Sequence, residues 1–281
     1  LLSTPLTACL VVIGKYVPQM EFIEVLLGDE PPLPVGTRLY QRLLAMDIGE
    51  ATELAMATAR TMSLEELYDT VFIPALASAE RDARHDRVHQ DRIIAIRAGM
   101  KTLIDQTLER EMQEIAAKDP NAEPAALFKK PGDPEPHRVH LPADCKLNVL
   151  CLPANDEGDE LCGVMLARLL ELRGYCVFPV TPDSLASEMV DAVEQKEAHA
   201  VVISALPPGA LHHATYLLKR LRGKYDGAPI IMGLWTVKGD VRRWRNRIDP
   251  SPNTRYATDL RSAMEQIQQF SQKILIANSK A

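Results

Sequence analysis

The sequence predicts two domains: an all-α four-helix bundle followed by an α/β domain, a doubly wound sheet of five parallel strands. Three observations carry that prediction. Residues 36–117 show helical periodicity and nothing else, and six prolines crowd the stretch 118–144. From Lys146 onward short apolar runs alternate with amphipathic stretches of helical length, the pattern of β-α-β units whose strands are buried on both faces. With 281 residues and about 100–200 residues per domain, two cores are affordable in length.

Composition narrows the function classes. The chain is 46% hydrophobic and 25% charged, with a formal net charge of −6, ordinary for a folded globular protein. An acidic balance gives no electrostatic ground for a nucleic-acid partner. The cysteines at 9, 145, 151, 162 and 176 form no zinc spacing, and an odd count is expected of reduced thiols used for packing.

Taken in order, Leu1 to Gly14 is nearly free of charge. It lacks the basic leading region and small-residue cleavage site of a signal peptide, and it is expected to be the last turns of a membrane helix. Lys15 to Pro34 is a proline-broken connector, so 1–35 is assigned to the end of a membrane segment plus connector. A first helix is expected over Thr37–Met46, and a second starts at Asp47, with Glu50 three residues on, and runs to about Met62. Ser63 and Glu66 open a third, kinked at Pro74, with Leu64, Leu67, Val71 and Leu76 inward and the charged run Glu80 to Arg87 at its exposed end. A fourth, Val88–Ala116, should bury Ile93, Ile94, Ile96, Met100, Leu103, Ile104, Leu108 and Met112. Residues 118–145 form a proline-rich linker.

In 146–281, strands are expected at Leu147–Leu152, Cys176–Val180, Ala200–Ala205, Pro229–Gly233 and near Tyr256. The helices between them cover about Glu160–Arg173, Ser184–Glu197, a stretch ending near Lys224, and Leu260–Ala277. Right-handed crossovers then give a flavodoxin-like sheet.

In such sheets ligands lie beyond the carboxyl ends of the strands. That places Asn155, Asp156, Glu157 and Gly158, after the first strand, beside Ser204, Leu206 and Pro207, after the third, and Gly233, in the fourth, as candidate ligand-binding residues. The bland reading of Asn155–Asp156 is an Asx turn capping the next helix. Acids at that helix start disfavour a phosphate. His85 and His89, four apart, would share a helix face, with no third metal ligand apparent. His212 and His213, being adjacent, point apart. Arg242, Arg243, Trp244, Arg245 and Arg247 form one basic cluster with an aromatic. No nucleophile motif or paired carboxylates beyond the first loop support catalysis, so the chain is read as a non-enzyme.

A helical module joined to such a sheet resembles the cobalamin-binding pair of methionine synthases, corrinoid proteins and cobalamin photoreceptors, over about Leu39 to Ala277. In that family the first loop carries D-x-H-x-x-G, whose histidine coordinates cobalt, the third S-x-L and the fourth G-G. Here Ser204, Ala205 and Leu206 match S-x-L, and Gly233 followed by Leu234 half-matches G-G. The first loop departs, with Asn155, Glu157 and Glu160 where aspartate, histidine and glycine belong. A carboxylate is a poor replacement for imidazole on cobalt. The resemblance thus implies the fold and disfavours the cofactor. His89, Gln90, Asp91 and Arg92 stand where photoreceptors place a Glu-His pair.

A second resemblance is carried by longer strings. Residues 3–34, with Y-Q-R-L-L-A at 40–45 and L-E-E-L-Y-D-T-V-F-I-P-A-L at 64–76, look like the end of the permease core and start of the C-terminal extension in the autoinducer-2 exporter-like family. It implies the cytoplasmic tail of an inner-membrane permease, whose partner is the membrane-embedded part of the same chain. The leading expectation is a regulatory or sensory region and a homo-oligomer, with a small ligand held between bundle and sheet on the ground of the linker and the crevice. Two alternatives stand beside it: a cobalamin-binding sensor or methyl carrier without the histidine, and an oligomerisation scaffold with no ligand.

Overall fold

The computed structural model describes residues 33–118, 147–237 and 248–278. The membrane-exit segment and most of the connector, the proline-rich linker and the basic cluster at 242–247 lie outside the described residues. Val35–Ala281 is one compact unit, in which a helical module packs on a five-stranded sheet. Among the described residues no helix is long and apolar enough to cross a membrane.

The helical module has the four helices expected. Helix α1 spans Val35–Leu44 and α2 Ile48–Ala59. Asp47 caps α2, its carboxylate accepting the Glu50 N–H at 2.9 Å. Ser63 caps the third helix by accepting from Glu66 N–H at 3.2 Å. That helix is built in three pieces: α3 (Leu64–Leu67), a π segment (Tyr68–Phe72) and α4 (Ile73–Arg84). The irregularity expected at Pro74 lies just before it. Pro74 sits in the first turn of α4, where its missing N–H costs nothing, and the π turn absorbs one extra residue. Helix α5 spans Gln90–Lys118.

Two inward assignments change. Ile94 is 53% exposed while Ile93 and Ile96 are buried, because adjacent helical positions lie about 100° apart and cannot both face one core. Glu80, expected at an exposed end, is buried. Its partner comes from α5, beyond the reach of local pattern.

The sheet has order β2-β1-β3-β4-β5 with every pair parallel. Strands β1 (Asn148–Pro153), β2 (Cys176–Pro179), β3 (Ala200–Ala205), β4 (Ile230–Leu234) and β5 (Thr254–Ala257) alternate with α6 (Glu157–Glu171), α7 (Ala186–Gln195), α8 (Ala210–Lys224) and α9 (Leu260–Asn278). One face, with Val149, Cys151, Val202 and Ile231, shares a core with α6, α9 and the helical module. The other, with Leu150, Leu152, Val201 and Ile203, packs on α7 and α8. Cys151 and Cys162 are free and buried. Cys176 is disulfide-bonded, against the expectation of reduced thiols throughout.

Polar bonds join the two halves at the far end of the seam. Asp69, in the π segment, accepts the N–H groups of Leu260 at 2.7 Å and Arg261 at 3.2 Å, and so caps α9 from outside its own sequence. Glu65 bonds Arg261 at 2.6 Å and Arg173 at 2.8 Å. Burial, opposed by the two N–H bonds, pushes the Asp69 carboxyl up to about 6. Asp69→Ala should leave two helix-start donors unpaired and cost about 1–2 kcal/mol, read as a lower urea midpoint at unchanged slope, with Asp69→Asn losing less.

Candidate functional site

The site grows from the end of β1. After Pro153 the Ala154 N–H bonds the Ser204 carbonyl at 2.9 Å, keeping the chain beside β3. Asn155 then donates to the Asp156 carboxylate at 3.0 Å. Asp156 takes an extended backbone as N-cap of α6, its carboxylate accepting the N–H of Gly158 at 2.9 Å and of Asp159 at 3.3 Å. The capping role read from the sequence is therefore what these side chains perform.

Asp159 is the residue that the sequence reading passed over. Only 3% exposed, it accepts the Leu206 N–H through its carboxylate at 2.6 Å and the Ser204 hydroxyl through its carbonyl at 2.6 Å. It thereby ties the start of α6 to the end of β3. Burial, reinforced by the Asp156 charge and opposed by N–H bonds, pushes its carboxyl up to about 8. An acid in a helix first turn ordinarily signals only a favourable dipole position, so nothing local marks it as buried.

The helical module closes over this loop. Arg97 of α5 holds Glu80 of α4 with two nitrogen–oxygen contacts of 2.9 Å, and lies 3.4 Å from Glu157 and 3.8 Å from Asp156. Burial raises the Glu80 carboxyl while Arg97 pulls it back. A Cβ on Gly158 would stand 2.8 Å from Glu80 Oε1, so a side chain there would displace that carboxylate.

Beyond β3, Leu206 is buried and a cis Pro207–Pro208 peptide leads to Gly209 at φ +91°, the N-cap of α8. A Cβ at Gly209 would meet the Arg84 guanidinium at 2.9 Å and His213 at 3.3 Å. Burial, then the charge of Arg84, lowers the His213 imidazole. His212 is exposed and His213 half-buried, as expected of adjacent helical positions. His85 and His89 do not share a helix face: His85 is the C-cap of α4, Asp86 takes φ +54°, and His89 precedes α5.

Thus Asn155, Asp156, Glu157, Gly158, Ser204, Leu206 and Pro207 meet at the carboxyl edge. Gly233 pairs with Ser204 across β3 and β4 but lies beneath the buried Trp235, which the sequence reading did not single out. The donors of the first loop are an amide and carboxylates, with no imidazole. They do not fit a cobalt ligated by this loop.

No family model and no curated protein matches the chain. Among solved structures it resembles the Methanosarcina barkeri monomethylamine corrinoid protein, at 14% identity and TM-score 0.53, covering 82% of this chain and 95% of that one. Looser matches are the methanol:cobalamin methyltransferase complex of M. barkeri (14%, 86% and 81%, 0.37) and a cobalamin-binding protein from Desulfitobacterium hafniense DCB-2 (16%, 83% and 97%, 0.37). The first establishes the fold: a helical module on a five-stranded, all-parallel sheet of the corrinoid-protein type.

The upward shift of the Asp159 carboxyl gives a signed expectation. Its folded value lies above the unfolded one, near 4, so between about pH 4 and 8 the native state binds the extra proton and stability falls as pH rises. Asp159→Asn keeps an acceptor for Leu206 and cannot ionise. The variant should therefore gain stability relative to wild type as pH rises across that window, in urea denaturation at stepped pH. A constant difference between the two would refute the assignment.

Proposed function

We propose that this chain is a non-catalytic binding and regulatory module on the corrinoid-protein fold, its ligand held at the seam between the helical module and the carboxyl edge of the sheet. The observation that carries this reading is the seam itself. At the position where open α/β sheets receive ligands, a half-buried polar contact built on Arg97, Glu80, Asp156 and Glu157 joins the two halves. A ligand acts there by binding one closure of the halves better than another.

The likeness of fold makes a corrinoid the ligand class to try first, taken up without a protein imidazole on the metal. A corrinoid sensor fits this reading better than a methyl carrier, since no group of the first loop replaces the coordinating histidine. The strings at 3–34, 40–45 and 64–76 support a second element of the proposal: the module serves a permease of the autoinducer-2 exporter-like family, on the cytoplasmic side of the inner membrane, and its output is the membrane part of the same chain.

Incubation of the protein with hydroxocobalamin and with cobinamide, followed by gel filtration, tests the ligand class. Coloured protein should co-elute, and colourless protein removes the corrinoid reading. Hydrogen–deuterium exchange of α4 and α5 with and without the bound corrinoid tests regulation: changed protection is expected, and unchanged protection despite binding removes that part. Arg97→Ala should change the ligand-free protection in the same helices.

A further inference from the structure

At the carboxyl edge of β3 and β4 a slot opens between the sheet and α6, and the chain fills it with its own tryptophan. Trp235 follows β4 directly and is wholly buried. Its ring lies against Gly233 so closely that a Cβ there would stand 2.9 Å from Cε2 and nearer still to Cζ2 and Cη2. On the α6 side a Cβ at Gly163 would stand in ordinary contact, 3.7 Å from the Cβ atoms of Cys151 and Ser204. Polar recognition is built in: the indole N–H donates to Ser204 Oγ at 2.7 Å, and that hydroxyl donates to the Asp159 carbonyl at 2.6 Å.

The backbone is bent to place the ring. Thr236, the next residue, is β-branched and sits at φ +58°, a conformation such residues rarely adopt and which persists only where surroundings enforce it. The Thr236 N–H bonds the Thr258 carbonyl at 3.0 Å and the Val237 N–H bonds the Leu234 carbonyl at 3.2 Å, so the turn is pinned on both sides.

We propose that this is a slot for a flat bicyclic heteroaromatic group and that Trp235 is its resident occupant, which bars it to the pendant benzimidazole of a corrinoid. Ser204 and Gly233, the positions that match S-x-L and G-G, are the two that hold the ring. A corrinoid taken up at the seam must then keep its base outside the slot. The proposal takes from the preceding section only the class of ligand to test.

The slot is tested without any corrinoid. Trp235→Gly and Trp235→Ala open a cavity of indole shape, of the kind that stays available to a small aromatic guest. Indole and 5,6-dimethylbenzimidazole should raise the melting temperature of the folded variants saturably and leave wild type unmoved. Naphthalene, without an N–H, should do less, and adding Ser204→Ala should erase the difference. Variants that fold by circular dichroism yet ignore every guest would overturn the slot.

Should neither variant fold, occupancy is read on Trp244→Phe protein, where Trp235 is the remaining one of the chain's two tryptophans. Blue-shifted emission resistant to iodide quenching is expected, and red, quenchable emission overturns the proposal. Where wild type binds corrinoids, cobinamide and cobalamin should bind alike and cobalamin should keep its base on cobalt. A wild-type preference of about tenfold (~1.4 kcal/mol) for cobalamin, with a base-off spectrum, would show the slot open and Trp235 no barrier.

Discussion

The structure depends on how it accommodates negative charge at the start of α6. Asp156, Glu157, Asp159 and Glu160 crowd its first turn, which suits the helix dipole, yet this end is pressed against a helical module that brings a further buried carboxylate, Glu80. Two physical solutions coexist within a few residues. Glu80 stays paired through Arg97, whose guanidinium also reaches Asp156 and Glu157. Asp159 has no cation in contact among the described residues, and burial pushes its carboxyl up to about 8, while its oxygens still fasten Leu206 and Ser204. Residue 158, with no side chain, leaves the Glu80 carboxylate its place beside this turn.

A fold of this type, with space beyond the ends of its strands, must fill that space with a ligand, water or its own side chains, because protein interiors do not tolerate sizeable voids. Here the edge beside β3 and β4 is filled from within. Trp235 supplies the apolar surface, and Ser204 supplies an acceptor that would otherwise be a buried hydroxyl with one bond. The seam between Asn155–Gly158, the Pro207–Gly209 turn and the helices above is polar and acidic. The loop carboxylate that caps α6 also faces this seam, so a ligand there would compete with capping for the same oxygens.

Elements whose identity is set by local chemistry were legible in the sequence. The caps at Asp47, Ser63 and Asp156 sit at their expected positions, and the buried runs at 148–153, 200–205 and 230–234 are strands because both their faces are covered. What could not be read are partnerships across the chain. Asp69 caps a helix that begins 191 residues later, and Glu80 finds Arg97 only because α4 and α5 pack together. Trp235, in the run Leu234-Trp235-Thr236-Val237, reads as an ordinary strand end. Its burial is tied to Gly233 beside it, where any side chain would collide with the ring, a meaning that appears once the sheet is assembled.

The two halves share one continuous apolar core, which limits how the module can respond to a ligand. Tyr68, Phe72, Ile93 and Ile104 of the helical module belong to the same buried cluster as Leu161, Met165 and Leu166 of α6 and Val149 of β1. Separating the halves would expose that surface at about 25 cal/mol per Å², which quickly exceeds the differential binding energy of a small ligand. Wide opening is thus disfavoured. The directional contacts at either end of the seam, Arg97 with its carboxylates and Asp69 with the start of α9, can exchange partners while the apolar middle stays closed. A ligand at the carboxyl edge that drew Arg97 from Glu80 would leave a buried carboxylate to be protonated or exposed.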